Sequence, residues 1–143
     1  MSDPFALRAA VIEDAPQIVD SWLKSFGAHH KSGRHSIATG LGQQYGTDYT
    51  WLIRQIISRV PVVVACVPGD PATILGWACY TDECVFYVYV KKAFRRAGLA
   101  RALLAGHLGR EDVVYASRTH ANVQIPNGWK YEWMQNVRAL VAR

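Results

Sequence analysis

The chain has 143 residues, 50% of them apolar and 19% charged, with a formal net charge of +5. That length and mix fit one soluble globular domain, residues 1–143, with room for a sizeable core. No apolar run reaches the roughly 18 residues that a membrane span needs. The opening Met-Ser-Asp-Pro-Phe lacks the charged and apolar stretches of a secretory signal, so a cytoplasmic protein with no membrane partner is expected.

Residues 5–11 read as a first strand. Asp14-Ala15-Pro16 marks a helix start, with proline accepted in the first turn. Ile18, Val19, Trp22, Leu23 and Phe26 follow at helical spacing, and Gly27 fits the stop. Residues 27–46, rich in Gly, His, Ser and Lys, read as a long loop. A second helix is expected from Thr47 or Asp48, either of which can cap it, with Trp51, Leu52, Ile56 and Val60 on its apolar face and Pro61 at its end. Strands follow at 62–67, 73–80 and 85–90, separated by Pro68-Gly69-Asp70-Pro71 and Thr81-Asp82-Glu83, as in an antiparallel meander. A helix from Gly98 to about Leu108 would bury Leu99, Leu103, Leu104 and Leu108, and a strand is expected at 113–117. Residues 128–133 alternate as a strand does, and 137–141 follow as strand or short helix. The order β, α, α, β, β, β, α, β predicts an α+β fold with helices against one sheet.

Cys66, Cys79 and Cys84 are odd in number, lie inside expected strands and form no Cys-x-x-Cys pair, so they read as reduced core residues. His29, His30 and His35 match no usual zinc spacing, and no metal site is expected. The positive charges concentrate at Lys91, Lys92, Arg95, Arg96 and Arg101, where a small anionic ligand would meet them. Elsewhere they are scattered, which argues against a nucleic-acid face.

The segment from Cys84 to Arg101 carries the most information. It reads as a strand, a tight basic loop and a helix opening on Gly98. The first amides of a helix lack intrahelical partners and the dipole favours an anion there, so the backbone from Arg96 to Arg101 forms a candidate phosphate seat. On spacing alone, a strand, loop and helix with water-facing arginines reads equally well.

Arg95-Arg96-Ala97-Gly98-Leu99-Ala100 resembles the Arg/Gln-x-x-Gly-x-Gly/Ala signature of the GNAT superfamily of N-acetyltransferases, here preceded by an apolar strand and followed by Leu103-Leu104. The order of elements from about residue 5 to 118 is similar too. The resemblance implies a mixed, mostly antiparallel central sheet flanked by helices, with acetyl-CoA as co-substrate. It also implies that Val88, Tyr89 and Val90 hold the acetyl-pantetheine arm and that Arg95, Arg96, Ala97, Gly98, Leu99, Ala100 and Arg101 hold the pyrophosphate. Family members are often homodimers, so that assembly is one expected state. Lys92 stands where the family often has proline, and the C-terminal Tyr before Leu-Gly-Phe is absent.

Acetyl transfer from a thioester to an amine needs a proton acceptor, oxyanion donors and a proton for the thiolate, but no covalent enzyme intermediate. The main-chain N–H of Val90 is the expected oxyanion donor. Glu83, acting through water, is the first candidate base; its alternative is a solvated turn carboxylate. His120 is the second, an imidazole suited to accept a proton, with a polar loop histidine as its alternative. For the acid, Tyr131 is preferred to Tyr115, which lies mid-strand. The acceptor, a small molecule, peptide or protein amine, is not identified by these residues. A catalytically inactive CoA-binding or regulatory protein of the same fold is the second reading. A small nucleic-acid-binding basic domain is the third.

Overall fold

The most apolar part of the chain forms the middle of a sheet. The computed structural model describes residues 4–31, 43–95, 98–115, 126 and 128–132. Its elements are β1 (Ala6–Ala9), a 3-10 turn (Ile12–Asp14), α1 (Ala15–Lys31), α2 (Gln43–Arg59), β2 (Val62–Val67), β3 (Asp70–Tyr80), β4 (Cys84–Val90), a second 3-10 turn (Lys92–Phe94), α3 (Leu99–Leu103), β5 (Val114–Tyr115) and β6 (Lys130–Tyr131). The sheet has six strands in the order β1-β2-β3-β4-β5-β6. The pairs from β1 to β4 are antiparallel, whereas β4–β5 and β5–β6 are parallel. This is the expected mixed, mostly antiparallel α+β architecture.

Both faces of the central strands are covered, which is why 62–67 reads as a nearly continuous apolar run. Side chains alternate across a strand. Val62, Val64 and Cys66 pack with Ile74, Trp77, Cys79 and Tyr87 against Ile18, Val19 and Trp22 of α1 and Ile53, Ile56 and Val60 of α2. On the other face Ala65, Leu75 and Ala78 meet Leu99 and Leu103 of α3, with Val88 and Val90 alongside. The first cluster carries the aromatic weight: Trp22 stacks on Tyr87 at 4.8 Å and lies 5.3 Å from Trp77.

The first turn of the chain is fastened by an ion pair. Arg8 gives Asp14 two hydrogen bonds, Nη1 to Oδ2 at 2.7 Å and Nη2 to Oδ1 at 2.9 Å, and the Val11 amide gives Oδ2 a third at 2.8 Å. Nη2 of Arg8 also reaches the Pro71 carbonyl at 2.8 Å. The Arg8 guanidinium holds the buried Asp14 carboxyl below the usual carboxylate range, and the Val11 amide adds to this, while burial opposes it. At the other end of the molecule, the buried His107 donates from Nε2 to the Thr81 carbonyl at 2.8 Å, with its ring edge-on to Tyr80 at 4.7 Å. That contact ties the turns after α3 to the β3–β4 connection.

Several sequence expectations are corrected. α1 runs through Gly27 to Lys31 and α2 begins at Gln43, so the two ends of 27–46 are helical rather than loop, and 32–42 lie outside the described residues. An interior glycine costs a helix only about 1 kcal/mol, less than the packing of the Ile18–Trp22 stripe contributes. Trp51 is 54% exposed, and Ile53, 1% exposed, takes the core position on α2. α3 stops at Leu103, and Leu108 is exposed, because turns through Gly106 and a left-handed Gly109 (φ +87°) replace the continuing helix. The expected strand at 128–133 is described as Lys130–Tyr131, and 137–141 lie outside the described residues. Among the described residues no helix is long and apolar enough to cross a membrane.

Candidate functional site

β4 changes character along its length. It pairs with β3 from Val85 to Val90, and with β5, among the described residues, at Cys84↔Val114 and Val85↔Tyr115. Antiparallel pairs alternate between those that exchange hydrogen bonds and those whose N–H and C=O point away from each other. The Lys91 amide donates to the Leu75 carbonyl at 2.9 Å, which marks the Leu75/Lys91 pair as bonded. Counting back along the ladder, Trp77/Tyr89 is bonded too, whereas Gly76/Val90 and Ala78/Val88 are not. The main-chain groups of Val88 and Val90 therefore face the β5 side, where they have no strand partner among the described residues. The Val90 carbonyl agrees with this parity: it accepts from Arg95 Nε at 3.1 Å. Gly76 permits the close approach of the strands here, since a Cβ on it would lie 2.6 Å from the Tyr89 carbonyl oxygen.

The chain then turns sharply. The Phe94 amide bonds the Lys91 carbonyl at 2.8 Å, and Arg95 is extended beyond it. Arg96 and Ala97 lie outside the described residues. Gly98 is left-handed at φ +84°, a conformation that favours glycine, and stands at the start of α3 with nothing within 4 Å of a would-be Cβ. The amides of Leu99 and Ala100 meet no acceptor among the described residues, as helix geometry requires. With five residues, α3 sums few peptide dipoles. An anion at this turn would depend on those N–H groups and the nearby cations more than on a helix macrodipole.

Beside the outgoing end of β4, on the α1 face of the sheet, lies a cavity of about 550 Å³. Ile74, Trp77 and Tyr89 supply its apolar wall, Gln17, Asp20, Ser21, Lys24 and Ser25 come from α1, and Lys91, Lys92 and Arg95 come from the turn. The α1 side is held in place by hydrogen bonds to the aromatic cluster. Ser21 Oγ accepts from Trp77 Nε1 at 2.9 Å and donates to the Gln17 carbonyl at 2.7 Å, and Ser25 Oγ shares a 2.7 Å bond with the Tyr87 hydroxyl. Asp20 pairs with Lys24 at 3.1 Å. No carboxylate pairs with Lys91, Lys92 or Arg95 among the described residues.

The structure distributes the sequence candidates unevenly. Tyr89 lines the cavity, and Val88 and Val90 turn their side chains to the α3 face. Leu99 of α3 is buried against the sheet, whereas Ala100 and Arg101 are exposed. Glu83 is exposed in the turn before β4, where its carbonyl accepts from the Val114 amide at 2.9 Å. At about 3.3 Å per residue, that is roughly 20 Å from Val90. Tyr131 sits on β6, exposed, with its ring 5.4 Å from that of Tyr115. His35 and His120, and the side chains of His29 and His30, lie outside what the structure describes. Among the described residues no three His, Cys, Asp or Glu side chains gather as a metal site.

All three cysteines are buried and unbridged. Burial, with the nearby Glu132 and Glu83, pushes the Cys84 thiol up to about 12, and burial pushes Cys79 higher still. Neither is a thiolate nucleophile at neutral pH. The α1 wall of the cavity went unread in the sequence. Its signal is the polar spacing 17, 20, 21, 24, which is i, i+3, i+4, i+7 and so a second helical stripe flanking Ile18, Val19 and Trp22.

The architecture matches that of solved structures. Apo YjaB from Escherichia coli aligns with a TM-score of 0.52 at 21% identity, over 71% of this chain and 62% of that one. A protein from Rhodopseudomonas palustris described as a GCN5-related N-acetyltransferase (Aminotransferase, Class-II) aligns with a TM-score of 0.51 at 18% identity, over 73% of this chain and 63% of that one. The match thus spans less than two thirds of either structure. No protein-family model and no curated protein matches the sequence. Identities this low speak for architecture alone, and that architecture, as Arg95 to Ala100 led one to expect, is the GCN5-related N-acetyltransferase fold.

Proposed function

We propose that the protein is an acetyl-CoA-dependent N-acetyltransferase that moves the acetyl group directly to an amine in the cytoplasm. A fold alone does not carry an activity. The observation that carries this one is the outgoing half of β4, where the main-chain groups of Val88 and Val90 turn away from β3 and meet no strand partner among the described residues, with the Gly98 turn at its end. Such a stretch offers main-chain partners to an extended pantetheine arm. The amides of Leu99 and Ala100, with Arg95, Arg96 and Arg101, then suit its pyrophosphate.

In this reading the Val90 N–H stabilises the oxyanion that forms as the amine nitrogen bonds to the thioester carbon. The C–S bond breaks as that intermediate collapses, the nitrogen loses a proton, and the thiolate takes one up. We assign the proton acceptor to His120, which follows β5. The register Val85↔Tyr115↔Tyr131 sets Tyr131 beside the start of β4, roughly 17 Å along the strand from Val90, so it would serve as donor only through a relay of waters. Glu83 would serve only through a relay of waters, given its distance along β4.

The second reading is a CoA-binding protein of the same fold without catalysis. Two measurements test both. Acetyl-CoA at 100 times its dissociation constant is expected to stabilise the protein by about 2.7 kcal/mol, and an amine panel is expected to release thiol from acetyl-CoA. Stabilisation without thiol release selects the inactive reading. No stabilisation at millimolar acetyl-CoA overturns both.

A further inference from the structure

We propose that the cavity between α1 and the end of β4 is the acceptor pocket, and that its acceptor carries an oxyanion group in addition to the amine. The inference rests on the acetyltransferase reading and adds a substrate class to it.

Direct transfer needs two rooms that meet at one point. The α3 seat and the cavity lie on opposite faces of the sheet, since Leu99 and Leu103 pack with Ala65, Leu75 and Ala78, whereas the cavity is walled by α1, Ile74, Trp77 and Tyr89. The outgoing half of β4 runs between them and contributes Tyr89 to the cavity wall. A cofactor laid along the β5 side of Val88 and Val90 would leave the α1 face open to the second substrate. The volume, about 550 Å³, falls within the range of small-molecule sites, on the order of 300–1,000 Å³.

The lining then selects the ligand. Its only carboxylate among the described residues, Asp20, is paired with Lys24 at 3.1 Å. Lys91, Lys92 and Arg95 add three positive charges within five residues, with no carboxylate on them among the described residues. Arg8 faces Asp14 and Arg110 faces Asp112 and Asp82. Arg54, Arg59, Arg101 and Lys130 have no carboxylate among the described residues either, so what sets Lys91, Lys92 and Arg95 apart is that they share one cavity wall. Three like charges so close repel one another, and a bound anion relieves that repulsion. Arg95, assigned above to the CoA pyrophosphate, is held by its Nε on the Val90 carbonyl at 3.1 Å, so Lys91 and Lys92 are the cations that the acceptor's anion would meet. Behind the cations stands the half-buried ring of Tyr89, a face suited to an apolar or aromatic body, backed by Trp77, which is 1% exposed. The arrangement fits an amine with such a body and a carboxylate or phosphate at one end.

The test uses matched amines that differ in the anion alone: L-tryptophan against tryptamine, and L-phenylalanine against phenethylamine, with O-phospho-L-tyrosine against L-tyrosine to separate phosphate from carboxylate. Binding is read by ligand-observed NMR on the whole chain, with and without CoA, and CoA affinity is measured in parallel. The anionic member of at least one pair is expected to bind ten-fold or more tightly than its partner, and raised salt is expected to erode the difference. A Lys91→Ala/Lys92→Ala double variant is expected to bring that pair to parity while changing CoA affinity less than three-fold. Lys91→Arg/Lys92→Arg is expected to keep the preference, which ties the effect to charge rather than folding. Equal binding, tighter binding of the anion-free member, or no binding by any pair overturns the inference. So does a ten-fold loss of CoA affinity in the alanine variant with the preference intact, since the cations would then serve the CoA phosphates. Failure of the acetyltransferase reading looks different: acetyl-CoA gives no stabilisation, whatever the amines do.

Discussion

The two halves of β4 belong to one strand and one ladder with β3, yet they differ in almost every physical respect. From Cys84 to Tyr87 each residue is at most 5% exposed, and Cys84 and Val85 pair with β5 as well. From Val88 to Val90 the residues are half-buried, the β5 side has no described strand partner, and the chain runs out among cations beside a cavity. The first half spends its polar groups on the sheet; the second keeps some in reserve. A backbone group without a partner is a cost in a buried strand and an asset where a ligand can complete the pairing.

Matched truncations at the two halves give the largest expected effect. Phe86→Ala removes a ring that is 4% exposed in the main core cluster, so a loss of about 3–5 kcal/mol is expected in denaturant unfolding. Tyr89→Ala removes a half-buried ring at the cavity wall. It is expected to cost about 1–2 kcal/mol by area, while weakening amine binding more than acetyl-CoA binding. Equal stability losses would mean that the halves do not differ in packing, and the contrast would be lost.

Gly98→Glu probes the end of the second half. The site is open, with nothing within 4 Å of a new Cβ, so the cost to folding is the left-handed backbone at φ +84°, roughly 1–2 kcal/mol. The effect on the proposed phosphate seat is larger, because a carboxylate now competes for it. A loss of CoA affinity of about a hundred-fold, on the order of 2.7 kcal/mol, is expected by calorimetry. Unchanged CoA binding in a folded Gly98→Glu protein would place the seat elsewhere.

How much of this was legible beforehand follows from what each segment does. β2, β3 and β4 could be read because their apolar residues alternate between two covered faces and are punctuated by Pro68-Gly69 and Asp82-Glu83. The glycine-led turn was legible because Gly98 takes a backbone conformation that side chains disfavour. The α1–α2 region was not, because Gly27 and Gly46 read as breaks, whereas both sit inside helices sustained by tertiary packing. α3 read too long because its leucines keep helical spacing past the residue where the backbone leaves the helix. The cavity wall on α1 was hidden for another reason. Its polar stripe is visible in the sequence, but which strand end it faces is set by β1 and by the Arg8–Asp14 clasp, a contact between distant atoms. β5 and β6 are described as two residues each, too short for periodicity to reveal their parallel pairing.

That clasp supplies the smallest effect and the control for the others, since none of its groups lines the cavity. Asp14→Asn keeps the shape but removes the charge that Arg8 meets at 2.7 and 2.9 Å. A loss of about 1–2 kcal/mol at pH 7 is expected for a partly buried, hydrogen-bonded pair, with stabilisation by acetyl-CoA unchanged. The pH dependence fixes the assignment. The Asp14 carboxyl is held below its ordinary value of 3.8, chiefly by the Arg8 hydrogen bonds. A lowered folded-state pKa means that the unfolded chain takes up the proton first. The stabilisation is therefore complete above the ordinary carboxylate range and drains away as the pH falls through the depressed value. Denaturation midpoints for the parent and Asp14→Asn should thus differ most near neutrality and converge only once the pH has fallen through the depressed value. A gap that stayed constant into acid would show that the variant perturbs packing rather than charge, and the clasp would no longer account for how β1 fixes the start of α1 opposite the outgoing half of β4.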